Sequence, residues 1–435
     1  MQTRPRVLLI AESANPEWSS ASLIGWSLSR ALRDQVDAHV VTHVRNRDAL
    51  ERAGWREGRE YTAIDPAAVE GPVNRFGEAV RKLARLGWTW TTALATFAYY
   101  YFEHQLWERF GARIRAGEFD IVHRITPVSP ATPSRIAHRC RNAGVPFVWG
   151  PMNGGVPWPK EFRGALRREG EWLSYVRGMH RFLPGYATTR SDAAAVLPGS
   201  RCAWEELRGY HDRCVYIPEN AIEPSRFEVP VPARREGPLR AAFVGRLVAL
   251  KGVDMLIEAA APLVQRGLVA LDIIGDGPEM PLLKARVEQA GIAGGVKLHG
   301  WIEHRDVAPL LARSHVFAFP SIREFGGGVV LEAMTLGLVP IVVDHGGPAE
   351  LITDETGFRV PLGTRESIVA AFREILAALA ANPARSAAMG EKARQRVHRL
   401  FTWEVKARQI LEVYRWVLGR RDKPDFGMPL ADHPD

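Results

Sequence analysis

Short apolar runs alternate along the first half of the chain with longer segments in which apolar residues recur at helical spacing. The predicted strands are Arg6–Ala11, Ala38–Val44, Phe119–His123, Pro146–Trp149 and Cys214–Ile217. The predicted helices are Ser19–Leu32 and Pro130–Arg141. Such alternation is typical of a parallel sheet that is covered by helices on both faces. The pattern therefore predicts an α/β fold.

The second half shows the same alternation. Its predicted strands are Ala241–Val244, Val269–Ile274, Val296–Leu298, Val316–Phe319 and Val339–Val343. Apolar residues at helical spacing predict two amphipathic helices. The first carries Val253, Leu256, Ile257, Ala260, Leu263 and Val264, and the second carries Ile368, Phe372, Ile375, Leu376 and Leu379. The two halves together predict two Rossmann-like doubly wound domains, which bind ligands at the carboxyl ends of their strands.

A proline-rich stretch separates the halves. Prolines recur between Ile217 and Arg240, and proline fixes φ and removes a backbone donor, so we place a linker at residues 220–239. The first domain is then 1–219 and the second 240–400. A length of 435 residues with 46% hydrophobic residues agrees with two domains and excludes disorder for most of the chain.

The cysteines and the first residues bear on the compartment. Cys140, Cys202 and Cys214 are too few and too widely spaced for a disulfide framework or a zinc site. The only continuous apolar run near the start is Val7 to Ala11, which is too short for a secretory signal. We therefore expect a cytoplasmic protein without a bound metal.

The net charge of +8 is concentrated in residues 1–219, which hold 30 Lys and Arg against 23 Asp and Glu. A basic half indicates a phosphorylated or anionic partner or a membrane surface, and a solvated surface without a partner is the alternative. Nucleic acid is not expected, since no nucleic-acid-binding module is found.

Two segments, 75–102 and 160–182, combine basic and aromatic residues. In the first, apolar residues follow helical spacing from Phe76 to Tyr101, but the uncharged stretch is shorter than the ~20 residues that span a bilayer. Each segment fits either a helix that covers the core or a peripheral contact with the inner face of a membrane. Both interpretations stay open.

Basic residues follow the predicted strand Ala241–Val244. The strand runs into Gly245-Arg246-Leu247, and Lys251-Gly252 then opens a helix. Arg246 and Lys251 thus stand at the carboxyl end of a strand beside a helix N-terminus, where partial positive charge favours phosphate. An anion site is predicted, with two ordinary surface cations as the alternative.

A glycine-rich turn follows the predicted strand Val316–Phe319. The three glycines Gly326–Gly328 would weaken a helix interior, so we expect them at a helix start with free N–H groups facing a ligand. Glu324 precedes this helix and Glu332 lies about one turn inside it. Because a carboxylate would repel a phosphate beside it, we expect Glu324 and Glu332 to accept hydrogen bonds from hydroxyl groups instead.

Glycine also follows two further strands, at Gly275-Asp276-Gly277 and at Gly346-Gly347. One such turn is commonplace, but four in one domain indicate a ligand of the size of a nucleotide. The sequence has no G-x-x-x-x-G-K-[ST] phosphate loop, and the dinucleotide fingerprint is incomplete.

This half resembles the retaining glycosyltransferases of family 4, which have the GT-B fold. The resemblance rests on G-R-L-x-x-x-K-G, G-D-G-P-E and the Glu-x7-Glu spacing of Glu324 and Glu332, and it is strongest over 240–360. It implies that Arg246 and Lys251 hold the donor diphosphate in catalysis, that Glu324 contacts the transferred sugar and that Glu332 contacts the ribose. The other donor-binding residues that it implies are Gly245, Gly275, Gly300, Trp301, Gly326, Gly327, Gly328 and Val329, of which Gly300 and Trp301 line the base pocket.

The resemblance also implies a layout. The two domains would face each other across a cleft, and a closing helix at 401–421 would cross back to the first domain before a tail at 422–435. The family's common Glu-Gly-Phe-Gly segment is Glu324-Phe325-Gly326-Gly327 here, so the identity of the donor sugar does not transfer.

The first domain is expected to bind the acceptor. Relatives often end the matching strand in His-x-His, whereas this chain has His123 and Ile125, so His123 is predicted to be catalytic and acceptor-binding, with Thr126 beside it. A packed histidine is the alternative. The turn Asn153-Gly154-Gly155 lies among tryptophans, which suits a sugar face or a lipid chain, and a tight structural turn fits equally well.

The predicted function is transfer of a sugar from a nucleotide-diphosphate donor to a hydroxyl of a glycan or lipid-linked acceptor, with retention and without metal or cofactor. A nucleotide-sugar epimerase or sugar-phosphate synthase of the same architecture is the alternative, and a non-enzymatic nucleotide-binding module is another. A glycosidase pair made of Glu324 and Glu332 is disfavoured, because it would leave Arg246 and Lys251 without a role.

Overall fold

The computed structural model describes residues 4–66, 88–169, 180–229 and 237–430. The chain forms two compact units, Met1–Gly155 with Gly170–Glu219 and Trp403–Met428, and Val156–Glu169 with Asn220–Thr402 and Pro429–Asp435. Each unit holds one sheet. Of the two basic and aromatic segments, residues 75–87 and 170–179 lie outside the described part of the chain.

The first unit is built on six parallel strands. They are β1 (Arg6–Ala11), β2 (Asp37–His43), β3 (Tyr61–Ile64), β4 (Ile121–Thr126), β5 (Phe147–Met152) and β6 (Ala195–Pro198), in the order β3-β2-β1-β4-β5-β6. The helices along this part of the chain are α1 (Ala21–Gln35), α2 (Arg47–Arg52), α3 (Trp88–Arg115), α4 (Ile136–Asn142), α5 (Arg163–Arg168), α6 (Tyr186–Asp192) and α7 (Arg201–Glu206), of which α5 belongs to the second unit. All residues of β3, β4, β5 and β6 are buried, as in a parallel sheet that is covered on both faces.

The second unit repeats this architecture. Its strands are β7 (Leu239–Val244), β8 (Val269–Ile274), β9 (Val296–Gly300), β10 (Val316–Phe319), β11 (Val339–Asp344) and β12 (Phe358–Pro361), in the order β12-β11-β10-β7-β8-β9. The helices are α8 (Val253–Gln265), α9 (Met280–Gln289), α10 (His304–Leu311), α11 (Gly328–Thr335), α12 (Gly347–Glu350), α13 (Arg365–Ala381) and α14 (Pro383–Leu400). A last helix, α15 (Trp403–Val417), belongs to the first unit, where it packs against α1.

Both sheets have the same connectivity. In each, the first strand lies in the middle, the next two extend to one side, and the fourth crosses to the other side of the first. The strand order reverses between β1 and β4 and again between β7 and β10, and doubly wound proteins bind ligands at the carboxyl ends of strands at such a switch point. The predicted fold class, two Rossmann-like domains, is confirmed.

Several local predictions differ from the structure. The predicted strand Cys214–Ile217 is wrong: the amides of Val215 and Ile217 donate to Val196 and Pro198 of β6, but the segment forms only an isolated bridge, between Cys214 and Val196, and no regular strand. The strands β3, β6 and β12 were not predicted, because each of these four-residue segments contains a threonine, a proline or an arginine, whereas the equally short β10 is apolar throughout. The predicted helix Pro130–Arg141 begins only at Ile136.

No single helix in the described part of the chain is long and apolar enough to cross a membrane. The helices α13 and α14 would meet such a test jointly by length and composition, but a bend of 107° separates them.

Candidate functional site

The turns after β7 and β8 are packed backbone against backbone. The amide of Gly245 donates to the Ile274 carbonyl at 3.0 Å, and a Cβ atom at Gly275 would lie 2.0 Å from the Gly245 carbonyl oxygen. Gly275 also has φ +133°, which other residues rarely adopt. The close approach of the two backbones therefore requires glycine at position 275. It holds the turns after β7 and β8 together at this edge of the sheet.

Lys251 is the last residue of a short 3₁₀ turn, Ala249–Lys251, that follows β7. The next residue, Gly252, has φ +65°, and a Cβ atom there would lie 2.5 Å from the Pro320 carbonyl oxygen. The turn is thus pressed against the end of β10. The Arg246 side chain is exposed, and it makes no hydrogen bond or ion pair to any residue that the structure describes.

Glu324 follows β10 and forms an ion pair with Lys251, in which Nζ donates to Oε2. The ammonium also lies 5.1 Å from the centre of the Phe319 ring, and the Phe325 amide donates to Oε1 of Glu324 at 3.3 Å. The two side chains are separated by 73 residues in sequence, but the fold brings them together at the switch point.

The three glycines after Glu324 lie at a helix start, as predicted. Gly327 is the N-cap of α11 with φ +68°, and the helix begins at Gly328. The first N–H groups of a helix have no intrahelical acceptor, so this end of α11 offers donors to an anion. Val329 lies in the first turn, and Glu332 follows one turn inside as a half-buried side chain.

Gly300 is the last residue of β9, and Trp301 follows it. The Gly275 amide donates to the Gly300 carbonyl at 2.8 Å, which joins this turn to the one after β8. Trp301 is 72% exposed. It lines a groove of about 530 Å³ with Arg226, Phe227, Glu303, Arg305 and Ala308.

Arg323 is a residue of this region that the sequence patterns did not single out. It is buried, its Nε donates to the Val156 carbonyl at 2.9 Å, and its guanidinium lies 5.2 Å from the ring centres of both Trp158 and Phe325. The position of a basic residue directly before Glu324 was the signal in the sequence that could have identified Arg323. The side chain braces the loop that carries Glu324.

The predicted acceptor residues lie in the first unit, and His123 among them is fully buried in β4. The Gly150 carbonyl can only accept, so Nε2–H of His123 donates to it at 2.6 Å, and Nδ1 accepts from the Tyr414 hydroxyl at 2.6 Å. Burial lowers the pKa of His123 to about 4, so the ring is neutral. Both ring nitrogens are bound by protein groups, and the predicted catalytic role stays a prediction.

Thr126 and Asn153 are also hydrogen-bonded within the first unit. The hydroxyl of Thr126 accepts from the Ser13 amide at 3.0 Å. The Asn153 side chain donates to Glu219 and accepts from Ser200 and from the Gly154 amide, each at 2.8 Å. The Asn153 amide donates to the Val128 carbonyl at 3.0 Å, which brings the turns after β4 and β5 together.

Gly154 and Gly155 continue this turn. A Cβ atom at Gly154 would lie 2.8 Å from the Pro130 side chain, and Gly155 has φ +75°. The close contact and the positive φ require glycine at these two positions. The predicted binding role of both residues stays a prediction.

Two buried arginines near this turn were missed. Arg124 donates to the carbonyls of Pro127 and Thr132 at 2.8 and 2.7 Å, and Arg190 donates to that of Pro130 at 3.3 Å. Arginine is usually exposed, so a sequence pattern gives no reason to expect it in a core. Here the two guanidinium groups hold the loop that follows β4.

Among the residues that the structure describes, no three His, Cys, Asp or Glu side chains come close enough together to hold a metal ion. At the ends of β7 and β10 lie the contacting pair Lys251 and Glu324, the exposed Arg246, which follows β7, and the start of α11, which follows β10. This arrangement is typical of α/β proteins that bind a phosphorylated ligand at a switch point.

Residues 225–396 match the family described as Glycosyl transferases group 1. The glycogen synthase of Mycobacterium tuberculosis (strain ATCC 25618 / H37Rv) is 28% identical over 222 residues, which are 50% of this chain and 52% of the relative. The alpha-maltose-1-phosphate synthase of the same strain is 28% identical over 282 residues, which are 60% of this chain and 70% of the relative. The chain thus spans about half the length of this glycogen synthase.

Among solved structures, HepE from Anabaena in complex with UDP superposes with a TM-score of 0.63 at 17% identity, over 94% of this chain and 98% of HepE. At this identity the likeness shows the fold, which is that of the GT-B proteins.

Proposed function

We propose that this protein is a glycosyltransferase that moves a sugar from a nucleotide diphosphate to an acceptor hydroxyl with retention of configuration. The observation that carries the proposal is the contact between Lys251 and Glu324 at the switch point of the second sheet, where Arg246 also follows β7 and the start of α11 follows β10. The match of residues 225–396 to Glycosyl transferases group 1 supports the same class.

The donor is assigned to the second unit. Arg246, Lys251 and the N–H groups at the start of α11 hold the diphosphate, Glu324 accepts hydrogen bonds from the sugar hydroxyls, and Glu332 does so from the ribose. Gly300 and Trp301 are assigned to the base, for which the exposed indole offers a stacking face. HepE was solved with UDP, which supports a nucleotide as the ligand.

The proposed chemistry is stabilisation of a leaving group. As the bond between sugar and diphosphate breaks, negative charge grows on the diphosphate, and the two cations and the helix N-terminus are placed to stabilise it. Each charged hydrogen bond contributes ~1.5–3 kcal/mol, so these groups supply only part of the ~8–23 kcal/mol that enzymes remove from a barrier. Orientation of the two substrates supplies the remainder, up to ~7–11 kcal/mol. In this proposal the anomeric carbon is the electrophile: the acceptor oxygen bonds to it, the hydroxyl proton leaves with the diphosphate, and the cations stabilise that leaving group. Neither a metal nor a cofactor is assigned.

The acceptor is assigned to the first unit, at the ends of β4 and β5, where His123, Thr126, Asn153, Gly154 and Gly155 lie. The proposed acceptor is a glycan or lipid-linked precursor. A phosphorylated sugar is the second candidate, favoured by the alpha-maltose-1-phosphate synthase that covers 60% of this chain.

We also propose that the first unit works at the inner face of a membrane, as a peripheral cytoplasmic protein. Phe97 and Phe182 are 57% and 89% exposed. The Tyr100 hydroxyl donates to the Pro184 carbonyl at 2.6 Å, which joins α3 to the segment that carries Phe182. The guanidinium of Arg135 lies 5.5 Å from the Tyr100 ring centre, so positive charge borders the aromatic surface.

A donor screen tests the proposed activity. The protein is incubated with single nucleotide sugars, alone, with a cell-lipid extract or with sugar phosphates, and nucleoside-diphosphate release is measured. Release that requires the lipid extract supports the glycosyltransferase with a lipid-linked acceptor, and release that requires a sugar phosphate supports the synthase. Epimer formation without acceptor would support an epimerase, and binding without release under any condition would leave only a nucleotide-binding module.

A further inference from the structure

The ion pair between Lys251 and Glu324 joins two side chains that the proposed function assigns to different parts of the donor. Lys251 is assigned to the diphosphate and Glu324 to the sugar, yet Nζ of one donates to Oε2 of the other. Each side chain therefore already has a partner of opposite charge within the protein. A diphosphate has to compete with the Glu324 carboxylate for the ammonium.

The backbone on both sides of the pair is held in place. The Glu324 carbonyl oxygen lies 2.1 Å from the position of a Cβ atom at Gly346, and the Pro320 carbonyl oxygen lies 2.5 Å from that of a Cβ atom at Gly252. The Ile322 amide donates to the Leu250 carbonyl at 3.0 Å, which ties the two loops together. Only side-chain rotation can therefore separate Lys251 from Glu324.

The surroundings strengthen the charges of the pair. The side chains of Lys251 and Glu324 are 17% and 20% exposed, and the ammonium lies 5.1 Å from the centre of the Phe319 ring. Partial burial reduces the screening of charge by water. A phosphate that binds Lys251 in place of Glu324 therefore lies beside the Glu324 carboxylate, so that two negative charges are close together.

We propose that Glu324 makes this site selective for a nucleotide sugar over the free nucleoside diphosphate, because its carboxylate competes with the diphosphate for Lys251. The inference rests on the proposed function. A nucleotide sugar brings hydroxyl donors that replace the ammonium at the carboxylate. A nucleoside diphosphate brings no such donors and carries an additional negative charge. The ion pair between Lys251 and Glu324 therefore re-forms, which displaces the diphosphate from Lys251 and promotes its release.

The test compares nucleoside-diphosphate affinity in two variants. UDP, GDP, ADP and dTDP are titrated by calorimetry into the wild-type chain, Glu324→Gln and Glu355→Gln. Glu355 is the matched control, because it is a glutamate of the same unit that also pairs with a lysine, Lys392 at 3.1 Å, but is 73% exposed. We expect Glu324→Gln to bind the preferred diphosphate about tenfold more tightly, which corresponds to ~1.4 kcal/mol. Glu355→Gln should change the affinity less than about twofold.

A double-mutant cycle separates competition for Lys251 from simple repulsion between carboxylate and phosphate. In the Lys251→Met background the ammonium is gone, so we expect the gain from Glu324→Gln to shrink to less than about threefold. A gain of undiminished size in that background would overturn the competition. Thermal unfolding checks the fold of each variant, and Glu324→Asp, which withdraws the charge by one methylene, should show a smaller gain in the same direction.

The outcomes distinguish this inference from the function on which it rests. If wild type binds a nucleoside diphosphate and Glu324→Gln binds it no more tightly, the inference is wrong and the proposed function is untouched. If neither chain binds any of the four at millimolar concentration, the proposed function fails and the inference fails with it.

Discussion

Arg246 and Lys251 follow the same strand, but their surroundings differ. The Lys251 side chain is held by Glu324, whereas the Arg246 side chain is exposed and has no hydrogen-bond or ion-pair partner within the described part of the chain. The guanidinium can therefore bind a diphosphate without breaking an internal contact. Its loss should affect donor use and leave the fold intact.

We expect Arg246→Ala to lower kcat/KM for the donor by roughly 10- to 150-fold, since one charged hydrogen bond contributes ~1.5–3 kcal/mol. The measurement is the rate of nucleoside-diphosphate release against donor concentration, with Arg266→Ala as a control, because Arg266 is an exposed arginine of the same unit that follows the last residue of α8. The melting temperature should stay within about a degree of wild type. An unchanged kcat/KM would remove Arg246 from the donor site.

His123 should make stability depend on pH. Its pKa is lowered from 6.5 to about 4 by burial, so below pH 6.5 the unfolded chain binds a proton that the folded chain does not. The stabilisation is therefore complete above pH 6.5 and is lost as the pH falls towards 4. Between pH 7.5 and 5.5 we expect wild type to lose roughly 1 kcal/mol more than His123→Gln in urea unfolding. Equal losses in the two chains would contradict the neutral, buried ring.

The sequence singles out the residues of the proposed donor site, but it does not predict their contacts. Glycines and cations after a strand follow from local rules, so Arg246, Lys251 and Glu324 could be singled out. The pair between Lys251 and Glu324 could not, because 73 residues separate them and only the strand order makes them neighbours. The buried Arg323 was missed for the same reason, since its partners Val156 and Trp158 are even more distant in sequence.

The turns at the ends of β7, β8 and β10 depend on glycine where two backbones meet. We expect Gly275→Ala to destabilise the second unit by more than ~2 kcal/mol, because its Cβ would lie 2.0 Å from the Gly245 carbonyl oxygen at φ +133°. Gly291→Ala is the matched control, since Gly291 has φ +64° but no atom within 4 Å of a Cβ, and it should cost only ~1 kcal/mol. Chemical unfolding measures both, and equal losses would show that the close approach does not matter.

At the level of elements, the buried parallel strands were the easiest to predict. β1, β8 and β10 have the predicted bounds, because strands that are covered on both faces appear as continuous apolar runs. The strands β3, β6 and β12 were missed, since their four residues include a threonine, a proline or an arginine, whereas the four residues of β10 are all apolar. Strand order itself depends on packing between distant segments, which no local pattern encodes.

At the scale of the whole molecule, the charge of the chain is unequal. Residues 1–219 hold 30 Lys and Arg against 23 Asp and Glu, out of a total of 57 against 49. The first unit also exposes Phe97 and Phe182. Positive charge with exposed aromatic rings favours a surface that is both anionic and apolar, as a bilayer of acidic lipids is.

We expect the protein to sediment with vesicles that contain acidic phospholipid and to remain in solution with neutral vesicles, because basic residues near such a surface contribute about 1 kcal/mol each. The double variant Phe97→Ser, Phe182→Ser should lower vesicle binding at least about tenfold, since each ring would otherwise bury apolar area in the interface. Trp18→Ser is the matched control, as Trp18 is 45% exposed in the same unit and should have little effect. Raising the salt concentration should weaken the binding of the wild-type chain, because ions screen the basic residues from the lipid headgroups. Equal binding by the double variant and the wild-type chain would mean that these two rings do not contact lipid.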